Sequence, residues 1–257
     1  MHTRVDIAIK SSLPENTVKA VVGSVQQLLS NLERIGNKFD PCSELSFVNR
    51  QASIEPVKVS RILFDMLSLC LDYNAYTLGY FDVCAAPYQP SAGTSCYIDL
   101  NGAEQTVFFK TAGVSIDLSG FLKGYALDLV RLYLEEVQMD NVFVSFGTSS
   151  VMAIGSGPEG NGWPVTTLSE GGPVLLRDSF LTTSGNNTDE RTHILIPRSG
   201  EFVEGKGMVS VETTCGWAGE MLSTALFSAK AKHAEEQLLW NVKNNKIVSK
   251  LIKTVQM

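Results

Sequence analysis

One long amphipathic segment near the start of the chain constrains the fold most. After Pro14 and Glu15, apolar residues recur at every third or fourth position as far as Ile35. This spacing places them along one side of a helix, so we predict a helix with a single apolar stripe. The residues of the stripe are Val18, Val21, Val22, Val25, Leu28, Leu29, Leu32 and Ile35.

The rest of the chain alternates between short strand-like segments and longer helix-like segments. We predict a hairpin over 107–116 that turns at 111–113, several short strands across 174–213, and strands over 5–9, 142–146, 151–154 and 246–252. Further helices are predicted over 60–78, 120–137, 218–231 and 233–242. Strands punctuated by separate helices indicate an α+β fold. Because no repeat, low-complexity tract or linker interrupts the sequence, residues 1–257 are expected to form one domain.

The composition excludes several classes of protein. The net charge is −6 and no run of lysine or arginine occurs, so a nucleic-acid partner is not expected. No apolar run approaches the ~18 residues of a membrane span, and the first residues contain no apolar leader. We therefore expect a soluble chain, cytoplasmic if no leader precedes it. The five cysteines share no metal-ligand spacing, which predicts reduced and mostly buried thiols.

Residues 117–126 predict a strand, a tight turn and the start of a helix. Asp117 ends the strand, Ser119 is positioned to cap the helix and Gly120 makes the turn. The N-terminus of a helix presents unpaired N–H groups that suit a phosphate, and Lys123 lies one turn further along. Asp117 could instead accept hydrogen bonds from a ring N–H or a hydroxyl. An ordinary capped helix with a solvated lysine fits the same spacing, and spacing alone favours it.

Glu220 and Thr224 are four residues apart, so on a helix they share a face. A carboxylate and a hydroxyl are oxygen donors that Mg²⁺ accepts, with water and substrate phosphates completing its shell. Ser223 could contribute a further oxygen through water. The alternative is an acidic residue favoured by the helix dipole beside a packed threonine.

Two other patterns predict no site by themselves. Residues 155–160 read Gly-Ser-Gly-Pro-Glu-Gly, but prolines and Asn-Gly follow where a dinucleotide fold needs a helix, so we predict a hairpin loop. His193 lies beside an apolar run and a turn, where a histidine is more often structural. It could act as a base only if a nucleophile approached it.

Seven segments, taken in order, resemble the motifs of the ApbE family, the FAD:protein FMN transferases. The most specific are Asp-Leu-Ser-Gly-Phe-Leu-Lys-Gly-Tyr-Ala at 117–126 and Glu-Met-Leu-Ser-Thr-Ala-Leu-Phe at 220–227. The supporting segments are Met-His-Thr at 1–3, Phe39 with Ser-Glu-Leu-Ser-Phe-Val-Asn at 43–49, Phe-Asp-Val-Cys-Ala-Ala-Pro at 81–87, Thr-Ser-Gly at 183–185 and His-Ile-Leu-Ile-Pro-Arg-Ser-Gly at 193–200. Glu220 stands where the family usually has aspartate.

The resemblance implies an ApbE-like fold related to the T-fold, and a chemistry. Such enzymes use Mg²⁺ to split FAD and pass FMN to a threonine hydroxyl of an acceptor flavoprotein, releasing AMP. Carried over by position, the metal ligands would be the Gly120 carbonyl, the Glu220 carboxylate and the Thr224 hydroxyl. The flavin nucleotide would be bound by Asp117 and Lys123, and its rings by Met1, Phe39 and Ile194. His193 would be the base for the acceptor threonine.

The resemblance leaves the activity and the compartment open. The same site without an acceptor would make a magnesium-dependent FAD pyrophosphatase that yields FMN and AMP. The stretch 88–96 is shorter than the aromatic loop of the family, which favours a non-catalytic flavin-binding or interaction protein, whereas the retained Lys123 and Thr224 favour an enzyme. Many family members are exported and lipid-anchored, so the cell envelope is the alternative location.

Overall fold

A six-stranded antiparallel sheet organises the computed structural model of the protein. The structure describes residues 3–86, 97–166, 172–186, 193–197, 199–230, 234–244 and 254–256. In spatial order the strands of the large sheet are β1 (Val5–Ile9), β7 (Val142–Phe146), β8 (Ser150–Ile154), β11 (Ser179–Asn186), β12 (Gly207–Thr213) and β13 (Thr254–Gln256). Three smaller antiparallel sheets contain β2 (Val57–Lys58), β3 (Cys84–Ala86), β4 (Ile98–Asn101), β5 (Thr106–Phe109), β6 (Ser115–Ile116), β9 (Trp163–Val165) and β10 (Val174–Leu176).

In the described ranges, six helices pack around these sheets. They are α1 (Glu15–Gly36), α2 (Glu44–Gln51), α3 (Arg61–Tyr76), α4 (Leu122–Glu136), α5 (Gly216–Lys230) and α6 (Glu235–Asn244). The predicted α+β class, with antiparallel sheets flanked by helices, is confirmed. None of the helices in the described part of the chain is long and apolar enough to cross a membrane.

The apolar residues form two main clusters. The stripe of α1 packs with α4 against β7 and β8, as its periodicity predicts. The second cluster joins α2, α3 and α5 to the smaller sheets. Helix α5 is buried along most of its length because it lies against β11, β12 and α4. Of its two candidate metal-ligating side chains, Glu220 is therefore buried, whereas Thr224 is half-buried.

Several predicted elements are confirmed and others are wrong. The strands over 5–9, 142–146 and 151–154 and the helices over 60–78 and 218–231 match within a few residues. Helix α4 begins at Leu122 rather than Gly120, and α6 begins at Glu235. The short helix α2 was not predicted. The predicted strand over 246–252 lies outside the described residues.

The predicted hairpin over 107–116 is wrong. Strand β5 pairs with β2 and β4, whereas β6 pairs with β3 in another sheet. The side-chain amide of Asn49 in α2 explains the difference, because it bonds both backbone groups of Ile116. Its Oδ1 accepts from the Ile116 N–H at 2.8 Å, and its Nδ2 donates to the Ile116 carbonyl at 3.0 Å. That edge of β6 is therefore not available to β5.

The glycine-rich stretch 155–160 is a loop, as predicted, but not the loop of a hairpin. It leaves β8 in the large sheet and leads to β9, which pairs with β10 instead of returning to β8. Gly155 and Gly157 both have positive φ, and a Cβ on either would meet a backbone carbonyl oxygen about 2 Å away. Backbone crowding accounts for these glycines without a nucleotide.

Candidate functional site

The closest approach of α4 and α5 occurs at two glycines. A Cβ on Gly124 would lie 2.2 Å from the carbonyl oxygen of Gly216 and 2.6 Å from Cγ of Glu220. A Cβ on Gly216 would lie 2.5 Å from the Gly124 carbonyl oxygen. Only glycines allow the two backbones to come so close, and this contact brings the first turn of α4 beside Glu220.

Lys123 and Glu220 meet at this contact and form an ion pair. Nζ of Lys123 lies 3.1 Å from both carboxylate oxygens, and it also donates to the hydroxyls of Ser150 at 3.0 Å and Ser149 at 3.2 Å. The Ser150 hydroxyl donates in addition to Oε1 of Glu220. The Glu220 side chain is 3% exposed and that of Lys123 is 22% exposed. The hydroxyls of Ser149 and Ser150 therefore hold the pair in place, and the Lys123 ammonium is its more exposed member.

Asp128 holds the N-terminus of α5 in place from α4. Its two carboxylate oxygens accept hydrogen bonds from the N–H groups of Gly216 at 2.9 Å and Trp217 at 2.8 Å. Burial raises the pKa of Asp128 to about 6, and the two backbone bonds oppose this rise. The carboxylate satisfies two N–H groups that a helix start leaves unpaired, so it fixes the helix that carries Glu220 and Thr224.

Asp117 lies at the end of β6, where α2 and β3 both hold the chain. Its backbone N–H donates to the carbonyl of Val83, and Lys38 Nζ lies 2.6 Å from its Oδ2. The other carboxylate oxygen accepts from the N–H and hydroxyl of Ser119. The predicted capping role of Ser119 is therefore wrong. The N-cap of α4 is Phe121, which has no side-chain cap, because the hydroxyl of Ser119 turns back to Asp117.

Gly120 and Thr224 are neighbours although they are distant in sequence. A Cβ on Gly120 would lie 3.6 Å from Oγ1 of Thr224. Ser184 of β11 lies on the other side, with its hydroxyl 3.2 Å from Oγ1 of Thr224 and 2.7 Å from Oγ of Ser223. Helix α5 and strand β11 thus place the hydroxyl oxygens of Thr224 and Ser184 together beside the turn at Gly120.

These groups line one cavity of about 400 Å³. Its wall includes seven residues that the sequence analysis singled out, namely Asp117, Gly120, Lys123, His193, Ile194, Glu220 and Thr224. Ile194 is buried, whereas His193 is exposed and lies at the start of the segment 193–197. Residues from three separate parts of the chain therefore converge on one space.

The charged residues described along this wall are more acidic than basic. The lysines are Lys38 and Lys123, and the carboxylates are Asp82, Asp117 and Glu220. Cys84 also lines the cavity, but burial raises the pKa of its thiol to about 12, so it stays protonated and is a poor nucleophile. An anionic ligand would therefore need added positive charge here.

A second, smaller cavity of about 270 Å³ adjoins the first. It is lined by Phe39 and by residues of the α1 C-terminus and α4, and it shares four wall residues with the larger cavity: Lys38, Asp117, Ser119 and Lys123. Phe39 is 71% exposed, with its ring 5.0 Å from Nζ of Lys38. Phe39 thus shares the smaller cavity with the candidates Asp117 and Lys123 but is not among the described wall residues of the larger one, while Met1 lies outside the described residues.

Sequence reasoning missed four contributors to this region: Lys38, Ser149, Ser150 and Ser184. Lys38 directly precedes Phe39 and Ser184 lies in a quoted motif, so proximity to a motif was the available signal. Ser149 lies in the turn after β7 and Ser150 begins β8, and nothing in their local pattern predicts contact with α4 and α5. Their role depends on the pairing of β7 with β8.

The oxygen donors around Gly120 suit a hard cation better than a transition metal. Among the residues that the structure describes, no group of three or more His, Cys, Asp or Glu is arranged to hold a metal ion. The available donors are one carboxylate, a threonine hydroxyl and a backbone carbonyl. Mg²⁺ commonly binds to one or two carboxylates with water and phosphates completing its octahedron, so this donor set fits it.

Comparison with known proteins identifies the family. The sequence profile described as the ApbE family matches residues 1–245. The chain belongs to the ApbE family. A curated ApbE-family relative from Chlamydia muridarum, named FAD:protein FMN transferase, is 25% identical over 273 residues, covering 93% of this chain and 84% of the relative. A protein of the same name from Klebsiella pneumoniae is 24% identical, covering 81% of this chain and 75% of its own length.

Solved structures of the family show the same fold. A mutant of the flavin transferase ApbE from Vibrio cholerae superposes with a TM-score of 0.80 at 20% identity, covering all of this chain and 94% of the other. The ApbE protein from Thermotoga maritima gives a TM-score of 0.77 at 20% identity, covering 95% and 88%. The resemblance inferred from the sequence motifs is therefore confirmed for family and fold.

Proposed function

We propose that the chain is a magnesium-dependent transferase that moves FMN from FAD to a threonine hydroxyl of an acceptor flavoprotein and releases AMP. One observation carries the proposal: residues from the 117–126 turn, α5 and the 193–197 segment line a single cavity. The names of the curated ApbE relatives, FAD:protein FMN transferase, support the same reaction. The catalytic unit proposed is the domain formed by residues 1–257.

The reaction exchanges one phosphorus–oxygen bond for another. The threonine oxygen bonds to the phosphorus on the FMN side, the bond to the bridging oxygen breaks, and AMP leaves with that oxygen. The threonine proton must pass to a base. His193 is the candidate because it is exposed and lines the cavity, so a segment of an acceptor protein can reach it.

Lys123 is the residue assigned to the phosphates. Its ammonium is held by Glu220, Ser149 and Ser150, so little side-chain freedom remains to be lost when an anion binds. Asp117 is assigned to hydrogen bonding with the flavin nucleotide. Ile194, Phe39 and Met1 are assigned to its rings.

Magnesium would be held by the Gly120 carbonyl, the Glu220 carboxylate and the Thr224 hydroxyl. When bound, it supplies positive charge to the diphosphate and to the leaving oxygen. The acidic balance of the described wall supports this assignment, because a diphosphate would otherwise be repelled. Glu220 can serve both Lys123 and a cation, since a carboxylate offers about four lone-pair directions.

The test is incubation of the chain with FAD, Mg²⁺ and a flavoprotein known to carry FMN on threonine, followed by intact mass measurement of that protein and chromatography of the nucleotides. A gain of one FMN residue together with stoichiometric AMP supports the transferase. Free FMN and AMP, with an unmodified acceptor, would replace it with an FAD pyrophosphatase. Tight FAD binding without either product would replace it with a flavin-binding protein.

A further inference from the structure

Lys38 stands at the boundary between the two adjoining cavities. It follows the end of α1, lines both spaces, and has a side chain 24% exposed. Lys123 also lines both spaces from the other direction, at the start of α4. The shared wall therefore carries two ammonium groups, one from each side of the turn that contains Asp117.

Each ammonium has its own carboxylate, but the two pairs differ in environment. Glu220 is 3% exposed and accepts from two donors, Lys123 and Ser150, whereas Asp117 is 28% exposed and keeps the bonds from Ser119 when Lys38 leaves. Nζ of Lys38 lies 2.6 Å from Oδ2 of Asp117. An incoming anion can therefore replace Asp117 as the partner of Lys38 at a lower free-energy cost than it can replace Glu220 as the partner of Lys123. When Lys38 moves to the anion, neither Lys38 nor Asp117 becomes buried and unpaired.

We propose that Lys38 is the second cation for the diphosphate of the substrate and exchanges Asp117 for a phosphate oxygen on binding. This inference rests on the proposed function and names the substrate class it selects: two ring systems joined by a diphosphate. One ring system would occupy the cavity beside Phe39 and the other the cavity beside Ile194. The diphosphate would cross the shared wall between Lys38 and Lys123.

The experiment is calorimetric titration of the full chain with FAD and with riboflavin, which lacks phosphate, in the presence of Mg²⁺. Lys38→Met removes the charge and keeps the length of the side chain, and Lys38→Arg keeps the charge. Lys58→Met is the matched control, because Lys58 is exposed on β2, away from both cavities. Salt titration of FAD binding gives a second measure of the ionic contact.

We expect Lys38→Met to raise the Kd for FAD at least about tenfold and to flatten its salt dependence, with riboflavin unchanged. Lys38→Arg and Lys58→Met should bind FAD as the parent chain does. Unchanged FAD affinity and salt dependence in Lys38→Met would overturn the proposal, and so would equal losses for FAD and riboflavin. Failure of the parent chain itself to bind FAD would overturn the proposed function instead.

Discussion

Nζ of Lys123 lies 3.1 Å from both carboxylate oxygens of Glu220, a residue 97 positions further along the chain. The pair joins the turn at the start of α4 to the oxygen donors of α5. It exists because Gly124 and Gly216 let the two helices touch. The ion pair therefore links the two sequence motifs that are most specific for the family.

Replacing Glu220 with glutamine tests this link. We expect Glu220→Gln to lower magnesium-dependent AMP release about a hundredfold, because it removes the only carboxylate assigned to the metal. It also leaves the half-buried Lys123 ammonium without its counter-charge, at a cost of up to about 3 kcal/mol in unfolding free energy. AMP release and urea unfolding check the two effects. The control is Glu220→Asp, which keeps the charge and should retain more activity; equal losses in both variants would contradict the assignment.

Gly124→Ala tests the helix contact itself. The added methyl would lie 2.2 Å from the Gly216 carbonyl oxygen, so α4 and α5 must separate. We expect a loss of about 2–3 kcal/mol in stability and loss of AMP release. Gly23→Ala is the matched control, since its Cβ meets nothing within 4 Å in the middle of α1. It should raise stability by about 0.5–1 kcal/mol; similar unfolding midpoints for both variants would show that the close approach does not matter.

The sequence predicts the elements better than their pairing. The regular spacing of apolar residues in the sequence locates α1, α3, α5 and β7, because each of these elements buries apolar side chains at that spacing. It gives no information on which strand lies beside β6. That choice depends on Asn49, a side chain from α2 that occupies the backbone groups of Ile116. Local patterns do not encode such a contact between distant segments.

The candidate site shows the same difference between what local sequence patterns predict and what depends on contacts between distant segments. Residues within a motif, such as Gly120, Lys123 and Thr224, were identified from the sequence and line one cavity. Ser150 was missed because its contact with Glu220 arises only when β8 folds beside α5. Ser119 was misassigned because a serine two residues after an aspartate can bond to that carboxylate as readily as cap a helix.

The raised pKa of Asp128 leads us to predict a specific pH dependence of the free energy of unfolding. Its pKa is raised to about 6 in the folded chain, so the folded state binds the proton more tightly than the unfolded state. Its contribution to stability is therefore present below about pH 4 and falls as the pH rises to about 6. We expect the stability of the parent chain to fall by on the order of 2 kcal/mol relative to Asp128→Asn over this window, because asparagine stays uncharged. Urea unfolding at several pH values measures it, and a pH-independent difference would contradict the cause given.

We predict that replacing His193 separates FAD binding from FMN transfer. Because its side chain is exposed at the cavity and is assigned to the acceptor proton, His193→Gln should leave the Kd for FAD within about twofold. The rate of FMN transfer to the acceptor should fall about 10²–10⁴-fold. Stopped time courses of acceptor mass give the rate, and calorimetry gives the Kd. Full transfer by the variant would reduce His193 to a structural residue.

The most direct test of the account is a Mg²⁺ titration of AMP release from FAD by two variants of Thr224. Thr224→Val removes the hydroxyl beside Gly120 and keeps the shape of the side chain, whereas Thr224→Ser keeps the hydroxyl. We predict a loss of about a hundredfold in AMP release for Thr224→Val, with a higher Mg²⁺ requirement, and near-parent behaviour for Thr224→Ser. A valine variant that releases AMP at the parent rate across the titration would contradict the proposed magnesium site.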